Sequence, residues 1–521
     1  MSGESSTGCM QRTHAMGLVF LDSIQSYLVE AAYFLFFLAR HMTLPLFQEY
    51  VQQQTLAKRH LHAGLDIDST PLNETQLYHE AQRESAVVVL SLQIAEGLPA
   101  VVTVIILGAL SDRTGRRRIL LWLPALGSSI YCFIYIMIQY TGWSIDGLFM
   151  ASAIRGLSGS MTAVLAGGSY YAINVVKPHQ RSSRLALQEL LNGAAYALGN
   201  IMVGFWVQAS GFLQPFWFCF ICSLASLLIS FFLVREVKPE SNRSPSRQEM
   251  TGNCCIDTFK PLGRFFKCKN NIKLVRVWLA ILAFQTYAIV HIGQINTLVL
   301  YLLGPPLNWE ATKIGVFLSV AMACAAICTG TVTPVLKRYF PFFTETHIAL
   351  MGFVSKLTGT LWIAGIHNGV ILYVAIFLLI FELLPFPMMR AIVAQGIEPA
   401  QQGSLFALMH SGESISYFLA PLMFQSIYAD TLRYYAGFVF VVSALLLILP
   451  FGLTLGIRYI DLHASELGYE VMEGKSELIA NEVPVDSSQP DQEEELTPRI
   501  MTTSLSGNQP DITAAGTTDT V

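Results

Sequence analysis

Charged residues are scarce in this 521-residue chain: Asp, Glu, Lys and Arg make up only 13%, whereas hydrophobic residues make up 53%. Soluble domains carry about 25% charged residues, so the composition excludes an ordinary water-soluble enzyme. The long loop over 50–84 contains none of the nine cysteines, which argues against an outer disulfide framework. The first twenty residues lack the features of a cleaved signal peptide, so we expect the first helix to act as an uncleaved anchor.

Long apolar blocks dominate the sequence instead. A helix needs about 20 apolar residues to cross a bilayer, and unbroken apolar blocks favour helices over the alternating strands of a barrel. We therefore predict an all-α protein embedded in the lipid bilayer, with no nucleic-acid partner. The twelve predicted spans lie in 26–48, 86–110, 119–139, 147–172, 185–207, 213–234, 276–302, 312–335, 345–365, 368–391, 403–427 and 435–458.

A polar segment in the middle of the chain divides six spans from six. This division predicts two pseudo-symmetric bundles with a substrate site between them at mid-membrane. The predicted parts are a first bundle over 1–235 with an outer loop at 49–85, a cytosolic loop over 236–275, a second bundle over 276–459 and a disordered cytosolic tail over 460–521.

The distribution of lysine and arginine predicts the orientation. These residues concentrate in the loops after spans two, four, six and eight, whereas the short loops near 140–146, 208–213 and 303–311 contain none. Positive loops face the cytosol, so both termini are predicted to be cytosolic. Asn73 heads a glycosylation sequon in the outer loop and is predicted to carry a glycan, whereas the Asn242 sequon faces the cytosol and is predicted to be unused.

The predicted tail contains a short pattern typical of a tyrosine-type sorting signal. Tyr469 precedes the bulky apolar Met472 by three residues. A sorting adaptor would be the partner of such a signal, and a chance match is the alternative for so short a pattern.

The segment after the second span resembles the signature loop of major facilitator transporters. Gly108 lets the helix approach a neighbour closely, and Gly115 permits a tight turn. Asp112 can pair with a loop arginine, such as Arg113 or Arg116, or with a helix N-terminus. We interpret these residues as a conformational latch; an ordinary positively charged loop is the alternative.

Ionisable residues inside the spans are the candidates for function. Each costs ~3 kcal/mol at the centre of a membrane helix, so each predicts a functional role by default. These residues are Arg40, His41, Glu96, Arg155, Glu189, His291, Lys356, Glu382, Arg390, His410 and Glu413. The alternative is internal pairing, for which Arg155 with Glu96 and Arg390 with Glu382 are the expected pairs.

Spans one, four, seven and ten line the central cavity of major facilitator folds. Arg40, Arg155, His291 and Arg390 fall in those spans, which predicts a cationic cavity for an organic anion, because guanidinium groups bind carboxylates with two parallel hydrogen bonds. His41, which neighbours Arg40, is also predicted to contact the substrate.

A proton is the predicted coupling ion. Desolvation raises the pKa of a carboxyl group and an approaching cation lowers it, so a carboxyl group whose surroundings alternate can carry a proton. Glu189 fits this role, and His291 titrates in the range that such coupling needs. We find no sodium-site pattern, metal-ligand cluster or nucleophile–base arrangement, so neither a cofactor nor an enzyme is predicted.

Several segments resemble solute carrier family 46, and most of all its proton-coupled folate transporter branch. They are Arg184–Glu189, Val290–Gly293, Pro387–Arg390 and Gln402–Phe406. The resemblance implies that Glu189 couples the proton, that His291 tunes proton and substrate binding, and that Arg390 acts in the substrate or coupling region.

Two departures from the family bear on the substrate. Ser160 stands where the folate branch carries an aspartate, and Arg40 and His41 replace apolar residues. The preferred prediction is a proton-coupled symporter of folate-like organic anions in the plasma membrane. The alternative is a lysosomal proton-coupled exporter of another small metabolite in the endolysosomal membrane, which the tail pattern favours. A non-transporting receptor on a transporter scaffold also stays open.

Overall fold

The computed structural model gives the chain a helical architecture, and none of the residues it describes forms a β-strand. The chain divides into two compact units, Met1–His463 and Ala464–Val521, and the helices around the site belong to the first. The described residues are 4–65, 74–143, 146–174, 180–236, 272–304, 307–340, 342–366, 368–397, 402–432 and 434–481.

The N-terminal half contains seven described α-helices. They are α1 (Glu4–Leu65), α2 (Glu74–Thr114), α3 (Ile119–Thr141), α4 (Gly147–Leu157), α5 (Ser160–Asn174), α6 (Arg181–Ser210) and α7 (Leu213–Leu228), the last followed by a π-helical turn over Ile229–Leu233. The fourth predicted span is broken between α4 and α5, where Gly159 has φ +97° and Ser160 has φ +50°. Glycine adopts this left-handed conformation freely, whereas serine does so only under constraint.

The C-terminal half also contains seven described α-helices. They are α8 (Ile272–Leu303), α9 (Ala311–Tyr339), α10 (Glu345–Gly365), α11 (Val374–Leu378), α12 (Pro385–Gln395), α13 (Gln402–Thr431) and α14 (Phe438–Asn481). A 3-10 turn over Ile371–Tyr373 precedes α11. The tenth predicted span is divided into α11 and α12 by turns, and Pro385 begins α12 because proline suits the first turn of a helix.

Nine helices within the described residues are long and apolar enough to cross a membrane. The predicted spans over 26–48, 368–391 and 403–427 are not among them. The second of these is broken into short helices, and the third carries His410 and Glu413. The count of twelve spans and the cytosolic position of the termini therefore stay predictions.

The two halves meet along α2 with α13 and along α6 with α9. Small residues let these helices approach closely. A Cβ atom added at Gly108 would lie 2.1 Å from the Cβ of Ala407, and one added at Gly193 would lie 2.4 Å from the Cβ of Ala326. The helix breaks lie in spans four and ten, the fourth span of each predicted bundle. Interrupted helices at corresponding positions of two halves are expected at a binding site.

Candidate transport site

A cavity of about 340 Å³ lies between the two halves. Its walls come from α1, α2, α5 and α6 on one side and from α8, α9, α12 and α13 on the other. The ionisable side chains that line it are Arg40, His41, Glu96, Glu189, His291, Arg390, His410 and Glu413. The cavity is therefore not cationic as a whole, and that prediction is wrong, because three glutamates accompany the two arginines.

Arg390 joins the two halves across this cavity. Its guanidinium group forms an ion pair with Glu189 of α6, and its Nη1 donates a hydrogen bond to the hydroxyl of Ser169 in α5 at 3.1 Å. Its Nε donates a hydrogen bond to the carbonyl oxygen of Phe386 at 3.2 Å, and this bond holds the side chain along its own helix. Only 1% of the Arg390 surface is exposed. Its charge is neutralised by Glu189, the residue that the sequence analysis predicts to couple the proton.

The predicted pair of Arg390 with Glu382 is wrong. Glu382 lies in the turn before α12 and accepts a hydrogen bond from the Nζ of Lys356 in α10 at 2.6 Å. The Nδ1 atom of His291 is 3.9 Å from the same Glu382 oxygen, Oε2. The two carboxylates therefore serve different cations: Glu189 faces Arg390, and Glu382 faces Lys356.

A second charge cluster lies in the N-terminal half around Glu96. Its Oε1 atom is 3.3 Å from the Nη2 of Arg40 and 3.6 Å from the Nε of Arg155, which confirms the predicted pair of Arg155 with Glu96. The hydroxyl of Ser160 donates to the same oxygen. Arg155 is 1% exposed, lies over the Tyr131 ring at 4.6 Å and does not line the cavity, so the structure places it behind Glu96.

Two further histidines at the cavity have hydrogen-bond partners. The Nε2 of His41 is 2.9 Å from the side-chain oxygen of Asn192, and the Nδ1 of His410 is 2.7 Å from Glu413. The hydroxyl of Tyr417 is 3.5 Å from the other oxygen of Glu413. Sequence reasoning missed Asn192 and Tyr417, because neutral polar side chains are common in spans and carry no marked burial cost.

The predicted latch forms a compact junction at one face of the bundle. Asp112 pairs with Arg117 at 3.0 Å, and its Oδ2 accepts hydrogen bonds from the backbone N–H of Ser404 at 2.5 Å and from its hydroxyl at 2.6 Å. Ser404 is the third residue of α13, so a loop arginine and a helix N-terminus both contribute. Arg113 and Arg116 are exposed, and the buried Arg117 was missed because nothing in the sequence distinguishes it from its neighbours.

Other contacts between the halves lie at the same face. Glu345 accepts hydrogen bonds from the hydroxyl of Ser182 at 2.8 Å and from the Nζ of Lys337 at 2.7 Å. The side chain of Asn174 donates to that of Gln402 at 3.1 Å. The structure is therefore closed at the face that carries the α2–α3 loop, where Gly115 turns the chain with φ +68°.

The side chains of three predicted site residues fall outside what the structure describes. Asn73 lies between the described ranges 4–65 and 74–143. Tyr469 and Met472 belong to α14, but the described side chains of this helix end before them.

The chain is similar to known membrane transporters over most of its length. The family model of the Major Facilitator Superfamily matches residues 30–421. A chicken (Gallus gallus) lysosomal proton-coupled steroid conjugate and bile acid symporter is 23% identical over 461 residues, which are 87% of this chain and 98% of the relative. The rat (Rattus norvegicus) proton-coupled folate transporter is 26% identical over 360 residues, which are 66% of this chain and 73% of the relative.

The fold is also similar to that of a solved structure, the human organic anion transporter MFSD10 (TETRAN). The TM-score is 0.64 at 18% sequence identity, with 83% of this chain and 99% of that chain covered. The two sequence relatives are members of solute carrier family 46, so the resemblance that the sequence predicted is confirmed. Since the family model covers well over half of the 521 residues, the chain belongs to the Major Facilitator Superfamily of transporters.

Proposed function

We propose that this protein is a proton-coupled secondary transporter that carries a folate-like organic anion by alternating access. The ion pair between Glu189 and Arg390 is the observation that carries the proposal. It crosses from one half to the other at the wall of the central cavity, and it unites a proton acceptor with an anion-binding group.

Competition for one guanidinium group couples the proton to the anion in this proposal. A proton on Glu189 removes the negative charge that occupies Arg390. The guanidinium can then bind a substrate carboxylate through two parallel hydrogen bonds. Each ligand thus favours the binding of the other, as thermodynamic linkage requires, and uptake rises as the pH falls.

The closed face supplies the second part of the cycle. Rocking of the two halves would separate Asp112 from Ser404 and Ser182 from Glu345 and would expose the cavity at the α2–α3 face. Twelve spans, cytosolic termini and a cytosolic position for this face belong to the same proposal. Protonation of Glu189 would break its ion pair with Arg390, which is one of two links that this arginine makes between the halves. The other is its hydrogen bond to Ser169 of α5.

A proton-coupled lysosomal transporter of a different anion is the second candidate. The apolar part of the cavity wall favours it, because Phe284, Phe386 and Leu383 form a surface suited to a rigid ring system. The chicken lysosomal symporter, whose name includes steroid conjugates and bile acids, is matched by this chain over 98% of its length. The first candidate places the protein in the plasma membrane, and the second places it in the endolysosomal membrane.

Uptake measurements test both candidates. Cells that display the protein at the surface would be given labelled folic acid or labelled oestrone sulfate at pH 5.5 and 7.4, with and without a protonophore. We expect acid-stimulated uptake of folic acid that the protonophore abolishes. Uptake of the steroid sulfate alone would favour the second candidate.

Glu189→Gln tests the coupling residue itself. It keeps the size of the side chain but cannot lose a proton, so the ratio of uptake at pH 5.5 to uptake at 7.4 is expected to fall to about one. Glu310→Gln is the matched control, since Glu310 is exposed just before α9, and it should keep the wild-type ratio. A wild-type ratio in Glu189→Gln would contradict the proposed role.

A further inference from the structure

Two arginines share one carboxylate in the N-terminal half. Arg40 and Arg155 both approach the Oε1 atom of Glu96, at 3.3 and 3.6 Å, and Ser160 adds only a neutral hydroxyl donor. The cluster formed by Arg40, Arg155, Glu96 and Ser160 therefore carries one positive charge more than it neutralises. We call it the Glu96 cluster.

The surroundings of Arg40 do not remove this excess. The ionisable groups that act on its guanidinium are Glu96 from α2, Arg155 from α4, Tyr131 from α3 and Tyr417 from α13. Among these described neighbours, Glu96 is the one carboxylate. Its neighbour in sequence, His41, is engaged by Asn192. Glu413 is not among the groups that act on this guanidinium, and its carboxylate is hydrogen-bonded to His410 at 2.7 Å.

Of the two arginines, only Arg40 faces the cavity, so the excess positive charge reaches the cavity through Arg40. The Arg40 side chain is 14% exposed and lines the cavity, whereas Arg155 is 1% exposed and lies behind Glu96. Two nitrogens of Arg155, Nε and Nη2, are buried without a hydrogen-bond partner, so the Arg155 guanidinium makes fewer hydrogen bonds than it could. An anion that enters the cavity therefore meets an uncompensated cation at Arg40.

Arg390 is a different kind of cation. Glu189 neutralises it directly, so it becomes available to an anion only when Glu189 is protonated. Arg40 needs no such release, because its partner carboxylate is shared with Arg155. The cavity thus contains one proton-gated cation and one constant cation, on opposite halves of the protein.

We propose, with the proposed function as its basis, that Arg40 is a constant anion-binding position for the carboxylate or sulfate group of the transported molecule. The anion binds there at neutral and at acidic pH. Arg390 then adds a second contact on the other half once Glu189 carries a proton. The position of Arg40 fixes the orientation of the substrate before the coupling step.

Charge balance distinguishes this role from a structural one. Removal of Arg40 leaves Arg155 and Glu96 in a one-to-one pair and relieves the repulsion between the two guanidinium groups. Arg40→Gln is therefore expected to fold with a melting temperature equal to or above that of the wild type in the absence of ligand. A structural role predicts a lower one.

Equilibrium binding at pH 7.4 tests the proposal. Purified full-length protein in lipid nanodiscs would be melted with increasing folic acid or oestrone sulfate. We expect at least one anion to stabilise the wild type, and Arg40→Gln to weaken its binding about tenfold or more, as for the loss of a charged hydrogen-bonded contact. Arg40→Lys should keep part of the affinity, and Glu189→Gln, which frees Arg390, should bind at least as tightly as the wild type.

A second pair of variants adjusts the charge without touching Arg40. Ser160→Asp adds the carboxylate that would balance the second arginine, and Ser160→Asn is its neutral control. Both residues tolerate the φ of +50° at this position. We expect the aspartate to weaken anion binding at pH 7.4 by a larger factor than the asparagine, because only the aspartate adds a negative charge.

Several results would overturn the proposal. These are the absence of stabilisation by either anion at pH 7.4, unchanged affinity in Arg40→Gln, a lower melting temperature of ligand-free Arg40→Gln, or equal affinities in the two Ser160 variants. The proposed function fails on a separate observation, the absence of acid-stimulated uptake by the wild type. Acid-stimulated uptake without binding at pH 7.4 would leave the function in place and remove Arg40 as a constant position.

Discussion

Lys356 and Glu382 neutralise each other in the C-terminal half, where they are 3% and 5% exposed. Their side chains meet at 2.6 Å. Removing one partner of a buried pair leaves an uncompensated charge and costs ~3–5 kcal/mol, whereas replacing both partners is far less costly. We expect Lys356→Met to lower the melting temperature of the purified protein strongly, and the double variant Lys356→Met with Glu382→Gln to recover most of it.

The double variant is also the control for the packing change that Lys356→Met introduces. If the single and double variants melted at the same temperature, the ion pair would not be the source of the loss. His291, which is 3.9 Å from Glu382, would then be a sufficient partner for the carboxylate on its own.

The cost of burying charge pointed, from the sequence alone, to the side chains that form these buried ion pairs, because that cost depends only on residue type and span. The pairing of those side chains could not be predicted with the same success. Arg155 and Glu96 were paired correctly, but Arg390 binds Glu189 of the other half and not Glu382. Such partners depend on how helices distant in sequence rotate against one another, which local patterns do not encode.

At the scale of the helix, the contact between α2 and α13 rests on a glycine. A Cβ atom at position 108 would lie 2.1 Å from that of Ala407, so Gly108→Val cannot keep the closed packing at this face. We expect this variant to separate the halves there. The measurement is chemical crosslinking between Asn174→Cys and Gln402→Cys, two positions whose native side chains are 3.1 Å apart, and its yield should fall.

Gly204→Val is the matched control for this prediction. Nothing lies within 4 Å of a Cβ atom built at Gly204, although it also sits inside a long helix. Its crosslinking yield should equal that of the background without a valine substitution. Equal yields in Gly108→Val and Gly204→Val would show that the α2–α13 contact does not control closure.

The predicted spans differ from the observed helices where a helix is interrupted or contains polar residues. Ser158 and Gly159 divide span four, and the turns before Pro385 divide span ten, although the apolar pattern runs through both. Irregular backbone is tolerated in a membrane only where it is buried in protein or lines a cavity, so these breaks mark the site. The apolar blocks predicted the nine described helices that are long and apolar enough to cross a membrane, but could not show which spans would be interrupted.

The orientation of the whole molecule is tested by its glycan. If the loop that contains Asn73 faces outside, the protein from mammalian cells should lose mass on enzymatic removal of N-linked glycans, and Asn73→Gln should abolish that shift. Asn242→Gln should leave the shift unchanged, because the predicted orientation places this second sequon in the cytosol. A shift that depended on Asn242 would reverse the predicted topology.

The ion pairs described above also decide how the carrier responds to membrane potential. Among the described residues, Glu96, Glu189, Glu413, Arg40 and Arg390 line the cavity, and Arg155 lies behind Glu96. The excess positive charge of the Glu96 cluster is thus offset in the total by Glu413, and Lys356 and Glu382 form a neutral pair of their own. With the neighbouring histidines neutral, the empty protein therefore carries no net charge at its centre when it changes conformation. In the proposed cycle the return step of the empty protein would then be insensitive to voltage, and one proton travelling with a monoanion would be electrically silent. A dianion with one proton would instead move one negative charge, which the potential opposes or assists by ~2.3 kcal/mol per 100 mV.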